Sequence, residues 1–214
     1  MVALAGRQPT RAQIAAAGQR EFAVLWERLS AGQIFPSSVS YLSTLASQMR
    51  ATRVGIAPQA PCGAAVDAST ARVLAAAGCV TVLRATYADA SGTALATVGI
   101  AVMRSSDGAS AVVRALASNA HGGLLPVSFP GTVAGLFTPR ARETAAVQSA
   151  AGPYVFLYAA GYADGRPTKL QSAPNTLGYP GETLTADLGS GVATGVAVVF
   201  QAPSNPCADR NVKC

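Results

Sequence analysis

Charge is what this chain has least of. Only 12% of its 214 residues are Asp, Glu, Lys or Arg, about half the usual share. Lysine is reduced to Lys169 and Lys213, there is one histidine, His121, and one tryptophan, Trp26. Each shortage excludes something. With His121 as the sole base and no G-x-S-x-G in the chain, no strained serine is offered for a base to activate, which argues against a Ser-His-Asp hydrolase. One histidine and separated cysteine pairs cannot make a usual zinc set. Asp107-Gly108 and Asp164-Gly165 lack the neighbouring oxygen ligands of a calcium loop. Neither G-x-x-x-x-G-K-[ST] nor G-x-G-x-x-G occurs, so no phosphate or dinucleotide loop is expected. The sequence therefore predicts no metal and no cofactor. Aromatics are 6% and the basic residues are scattered, unlike the dense, aromatic-interleaved basic stripe of nucleic-acid modules. No uncharged apolar run reaches the roughly 18 residues a membrane span needs. The opening MVALAGRQPT also lacks the charged start and apolar stretch of a signal peptide.

What is present begins with four cysteines in two close pairs. Cys62 and Cys79 flank one predicted helix, and Cys207 and Cys214 close a short polar tail. An even count at these spacings reads as two disulfides, Cys62–Cys79 and Cys207–Cys214, and disulfides persist in oxidising compartments. The first would close a loop of roughly 18 residues, worth about 3 kcal/mol on the chain-entropy account. Export without a visible signal is reconciled if a signal or membrane anchor precedes residue 1 in the full-length protein. The net charge of +6 is concentrated at the start, where residues 1–53 hold six arginines against Glu21 and Glu27. Fourteen of the sixteen basic residues are arginine and alanine is abundant, as coding from a GC-rich genome produces. The ordinary reading of the N-terminal arginines is a solvated helix face; a contact with anionic lipid or nucleic acid is the sharper one.

Half the residues are hydrophobic, enough for one sizeable core. Residues 11–30 predict a helix capped by Thr10 and stopped at Ala31-Gly32, with Trp26 as a packing anchor on its apolar face. Pro36 predicts extended chain from Gln33 to Tyr41, and LSTLASQMR a further turn of helix. RVGIAP (53–58) reads as a short strand. A helix over 67–77 starts at Asp67 and stops at Gly78. Residues 80–88 and 94–103 are two β-rich runs around Asp89-Ala90-Ser91-Gly92, a hairpin. A helix over 108–119 follows, capped by Ser106 or Asp107. Pro126 and Pro130 argue against a central strand, and Thr132–Phe137 predicts a short one. Residues 142–150 and 154–162 predict strands turning at Gly152-Pro153. Glu182 to Phe200 has helical spacing in Leu184, Leu188, Val192, Val196 and Val199, weakened by its glycines and valines; helix is favoured.

That order predicts an α+β fold: an antiparallel sheet with helices packed mainly on one face, a split β-α-β (ferredoxin-like) core, and an N-terminal helix. The domains expected are an amphipathic helix over 1–32, as a stalk or packed on the domain, a single α+β domain over 33–202, and a disulfide-closed tail over 203–214.

Candidate functional residues are few. Asp67, Asp89, Asp107 and Asp164 fall at predicted caps and turns, so each has a local structural role rather than a place in a carboxylate pair. His121 stands at a glycine-rich helix exit, where a cation complements the helix dipole. YAAGYADGRP (158–167) is the most site-like segment, because Tyr158, Tyr162, Asp164 and Arg166 bring polar groups to a strand end beside a Gly/Pro loop. Its ordinary reading is a tight turn in which Asp164 bonds its own backbone.

GQIFPSSVSY, RVGIAP, GCVTVLRATYADASGTALATVGIAVM and YAAGYADGRP together resemble extracytoplasmic domains of uncharacterised actinobacterial membrane-anchored proteins, over residues 30–165. The resemblance implies a membrane helix upstream of residue 1 and transfers no activity. Two function classes follow. The first is a non-enzymatic extracytoplasmic module, on the outer face of the cell membrane, that binds a protein partner or envelope component. The second is an enzyme or small-ligand receptor with a pocket near Tyr158–Arg166. The lack of a nucleophile-base set favours the first.

Overall fold

The computed structural model describes residues 10–43, 47–117, 123–166 and 180–201. Its centre is the hairpin read from Asp89-Ala90-Ser91-Gly92. The Asp89 carboxylate accepts from the Thr93 and Ala94 N–H groups at 2.8 and 3.0 Å and from the Ser91 hydroxyl, and Gly92 takes φ +70°. This Asx-type turn joins β3 (Cys79–Asp89) to β4 (Ala94–Met103), setting Leu83 against Ile100 and Tyr87 against Ala96. Every residue of β4 is buried, which requires cover on both faces of the sheet.

Four further strands extend the hairpin: β1 (Ser38–Leu42), β2 (Gln48–Ile56), β5 (Arg142–Ala151) and β6 (Tyr154–Tyr162). The sheet order is β1-β2-β3-β4-β6-β5, and all neighbours are antiparallel. The helices are α1 (Arg11–Ala23), the single turns α2 (Leu25–Arg28), α3 (Ala31–Ile34) and α4 (Cys62–Ala65), α5 (Ala68–Ala76), α6 (Ser106–Leu116) and α7 (Pro180–Ala197). The fold is thus a mixture of helices with a curled six-stranded antiparallel sheet.

The helices occupy both faces, not mainly one. On the first face, Leu188, Val192 and Val196 of α7, with Phe22 of α1, pack on Tyr87, Val98, Ile100 and Phe156. On the second, Leu74 of α5 and Val112 and Leu116 of α6 pack on Val82, Ala101, Val155 and Leu157. Unbroken apolar runs in β4 and β6 demand this, since alternate residues of each strand point to opposite faces. Gly99 makes the second face shallow enough for Leu124 to lie against it; a Cβ there would collide with the Leu124 side chain.

The strand order departs from the ferredoxin-like expectation. That arrangement needs the strand after the first helix to lie parallel to the strand before it, one place away. Here β2 pairs directly and antiparallel with β3. The physical reason is the staple: Cys62 and Cys79 form a disulfide across 17 positions, and Ala60 and Val82 exchange backbone hydrogen bonds at 3.0 and 3.1 Å. The chain therefore re-enters the sheet at the end where it left, and β3 must run back. A split crossover does occur later: α6 lies between β4 and β5, and β6 inserts between them.

Several local expectations shift. The helix over 11–30 breaks at Val24, because the buried Tyr154 hydroxyl donates to the Phe22 carbonyl at 2.6 Å and takes up the end of α1. Ala31-Gly32 starts a turn rather than stopping one: Ser30 and Gln33 form a reciprocal capping box for α3. This turn replaces the first part of the extended 33–41 segment. Of LSTLASQMR, residues 48–50 belong to β2 rather than to a helix. Ser105, not Ser106 or Asp107, caps α6. Thr132–Phe137 is a series of turns, not a strand; its buried Ala134 and Phe137 plug the second face beside Ala88 and Leu95. Just before it, Val127 crosses that face on two threonines. Thr86 donates to the Val127 carbonyl at 2.8 Å, Thr97 accepts from its N–H at 2.9 Å, and the two hydroxyls are 2.8 Å apart. These buried polar groups are thus mutually satisfied.

Candidate functional site

The structure divides the four residues of the YAAGYADGRP segment. Tyr162, Asp164 and Arg166 come together at the end of β6. Arg166 pairs with Asp164 at 2.6 Å and lies over the Tyr162 ring at 4.6 Å from its centroid. The Arg166 N–H also bonds the Asp164 carboxylate. The charge-assisted bonds from Arg166 hold the Asp164 carboxyl below its usual range. Both side chains are exposed, and each satisfies the other. Tyr158, four residues earlier, is buried beneath α7, with Gly189 against its ring. Its hydroxyl bonds the Thr144 side chain. His121, Cys207 and Cys214 lie outside the described residues. Among the described residues, no group of three or more His, Cys, Asp or Glu could hold a metal ion.

A better-formed site lies between β1 and α7. Three glycines of α7 bring the helix close to the sheet: Gly189 meets Tyr158, Gly191 meets the Tyr41 ring and Gly195 meets Val39. A Cβ at Gly191 or Gly195 would strike the sheet, so the glycines that weaken helix propensity are what let this helix dock. Above the contact, Asp187, Ser190 and Thr194 of α7, and Val198 in the turn just after it, face Ser40, Tyr41 and Leu42 of β1, with Gln48 of β2, across a groove of about 460 Å³. That size suits a small ligand or a few side chains. The lining is rich in hydroxyls, and among the described residues its one charged member is Asp187.

Tyr41 sits at the foot of this groove. It is only 5% exposed, and its hydroxyl has no hydrogen-bond partner among the described residues. Burial, then the Asp89 and Asp187 carboxylates, push its phenol up. Burial and Asp187 act on Tyr158 in the same direction. Phenols so shifted keep their protons at neutral pH, so they can donate hydrogen bonds but do not act as bases. A buried hydroxyl without a partner is costly to maintain, about 1–3 kcal/mol, which makes it the strongest local indication that something else completes the site.

A second cavity, of about 210 Å³, is apolar. Trp26, Leu29, Ile34, Phe35, Ile56 and Leu83 line it. Trp26 is partly buried against the first-face core there, as a packing anchor.

Sequence reasoning missed the β1–α7 groove. The available signal was the positions of Gly189, Gly191 and Gly195, read as weak helix propensity rather than as close approach. Tyr41 gave none, because its burial depends on a helix some 150 residues away in sequence. No family model, curated protein or solved structure matches the chain.

Proposed function

We propose that this chain is the extracytoplasmic part of a membrane-anchored protein of the actinobacterial kind it resembles, and that it works as a non-enzymatic module binding a protein partner or envelope component in the groove between β1 and α7. The observation that carries the binding role is the buried Tyr41 hydroxyl, which lacks a partner among the described residues, beside a hydroxyl-lined groove. The Cys62–Cys79 disulfide points to an oxidising, extracytoplasmic environment. Among the described residues, no helix is long and apolar enough to cross a membrane; the anchor we propose is a segment upstream of residue 1. The tyrosines near the groove are raised rather than lowered, which suits recognition by hydrogen bonding better than proton transfer.

The test has two arms. Protease added to intact cells making the full-length protein should remove the domain, which should otherwise sediment with membranes; a soluble pool that resists shaving rejects the anchoring. For binding, Ser190→Arg should fill the groove without entering the core. Loss, in this variant, of the anchor-free domain's binding to the surface of the producing cells, with folding intact, supports the site. Retention of that binding rejects it.

A further inference from the structure

The strand that borders the groove is the edge of the sheet, and the pairing pattern fixes what that edge presents. In an antiparallel ladder, alternate residues turn both N–H and C=O toward the partner strand. The Arg53 N–H donates to the Ser37 carbonyl at 2.9 Å, and the Ser43 N–H to the Ser47 carbonyl at 3.0 Å. With Val39 opposite Ala51 and Tyr41 opposite Met49, residues 37, 39, 41 and 43 therefore face β2. The N–H and C=O groups of Ser38, Ser40 and Leu42 point away from it. They run along the groove rim, since Ser40, Tyr41 and Leu42 are consecutive lining residues. Side chains alternate accordingly: Val39 and Tyr41 are buried, while Ser38, Ser40 and Leu42 are exposed, Leu42 by 75%.

Natural sheets protect such edges with charges, prolines or bulges. Strand β1, SVSYL, has none of these, and its register with β2 is uninterrupted. Among the described residues no strand pairs with this edge, and an unpaired edge beside a helix, with a polar groove between them, is the arrangement that accepts an added strand.

Resting on the groove reading above, we infer that the partner presents an extended peptide segment, which adds antiparallel or parallel to β1 and drops alternate side chains into the groove against α7. Main-chain bonds to Ser38, Ser40 and Leu42 supply affinity. The groove supplies selectivity through the Ser190 and Thr194 hydroxyls in its lining, which favour a polar inward side chain. Leu42 and Val198, both largely exposed, give an apolar residue of the same segment a place at the groove's end.

The probe is a random ten-residue peptide library displayed on phage and selected on the immobilised protein, the enriched peptides then being synthesised. Three variants separate the possibilities. Ser40→Pro removes an outward N–H that no described residue accepts, a position where edge strands tolerate proline. Ser40→Ala leaves the backbone as it is. Ser190→Arg fills the groove. Each is first checked for intact folding by circular dichroism and its urea midpoint. Expected is at least about a tenfold loss of affinity for Ser40→Pro and for Ser190→Arg, and a change within about twofold for Ser40→Ala. Affinity lost in Ser190→Arg but kept in Ser40→Pro overturns strand addition and leaves the groove reading standing. Affinity kept in both overturns the two together. A selection that yields no peptide tighter than about 1 mM overturns strand addition as well.

Discussion

At one edge of the sheet β5 carries Arg142, Glu143 and Gln148 and slips its register against β6 twice, between Arg142 and Thr144 and between Val147 and Ser149. At the other, β1 pairs with β2 without a slip and bears no charge. Both edges curl onto the same helix, α7. The bulged residues of β5 are the ones that reach it: Thr185 donates to Glu143 at 3.0 Å and Gln148 to Thr194 at 3.3 Å. β1 meets α7 through Gly191 and Gly195 instead, and the helix's outer side chains stand off across the groove. Bulges at β5 twist the edge and spend its extra residues on closing the structure. At β1 the same helix leaves a space, and the edge backbone borders it. On the proposed reading one edge serves stability and the other serves binding, and each can be perturbed separately.

The largest effect is expected at the closed edge. Arg142 is buried, donates to the Leu124 carbonyl at 3.1 Å and lies 3.4 Å from Asp67, which caps α5. It therefore ties β5 to the start of α5 and to the 123–125 segment. Replacing Arg142→Met leaves the Asp67 carboxylate and the Leu124 carbonyl without it, and should cost about 3–5 kcal/mol in urea unfolding. Ser40→Pro at the open edge should cost less than about 1 kcal/mol, because the N–H it removes bonds nothing within the sheet. If the two losses are comparable, the division of labour between the edges is wrong.

Next in size is the staple between the edges. The double change Cys62→Ser and Cys79→Ser should lower stability by about 2–4 kcal/mol, read from the urea midpoint. Affinity for groove-selected peptides should stay unchanged, since the disulfide lies with α4, α5 and β3, away from β1. A loss of affinity beyond that explained by unfolding would tie the groove to the second face of the sheet.

Smaller effects should appear with pH. Tyr41, Tyr87, Tyr154 and Tyr158 are all pushed up, chiefly by burial. Each favours the protonated phenol in the fold, so its contribution is complete below about pH 10, the ordinary value, and is lost as pH rises through the raised values. Asp67 behaves oppositely. Burial raises it, but bonds from the Thr70 N–H, the Ser69 hydroxyl and the Gly123 N–H outweigh that and hold it below its usual range. Its contribution is present above about pH 4 and fades as pH falls through the lowered value. Thermal unfolding across pH should show both limbs, and Asp67→Asn should flatten the acid one. Tyr41→Phe should change stability by less than about 1 kcal/mol, in the stabilising direction, because the hydroxyl it deletes has no partner among the described residues. A clear destabilisation by Tyr41→Phe would mean that the hydroxyl is satisfied within the chain, and the case for a ligand would weaken.

Much of this frame could be read from residues that act locally. Asp89 to Gly92 specify their turn without help from elsewhere, and Asp67 caps α5 from a position next to it. The Cys62–Cys79 spacing announced the staple, though not its topological consequence, which depends on where both ends of the loop meet the sheet. What the sequence hid was set at long range. Val24 breaks a good helical pattern because a tyrosine on β6 takes up the preceding carbonyls. Pro126-Val127 forms no strand, yet lies on the sheet because Thr86 and Thr97 hold it. The site-like reading of Tyr158 to Arg166 joined residues that are near in sequence but divided by burial. The groove joins Tyr41 to Asp187, far apart in sequence, and its only local trace is a run of glycines whose reason is the strand beneath them.

The central claim is that the free edge of β1 is where a partner's backbone pairs. Amide hydrogen exchange followed by NMR, on the protein alone and with a saturating selected peptide, tests it residue by residue. The account predicts fast exchange at Ser40 and Leu42 in the free protein, and strong slowing at both when the peptide is bound. Val39 and Tyr41, already bonded to β2, should change little. Slowing along β5 instead, or binding that leaves the Ser40 and Leu42 amides exchanging as before, would contradict it.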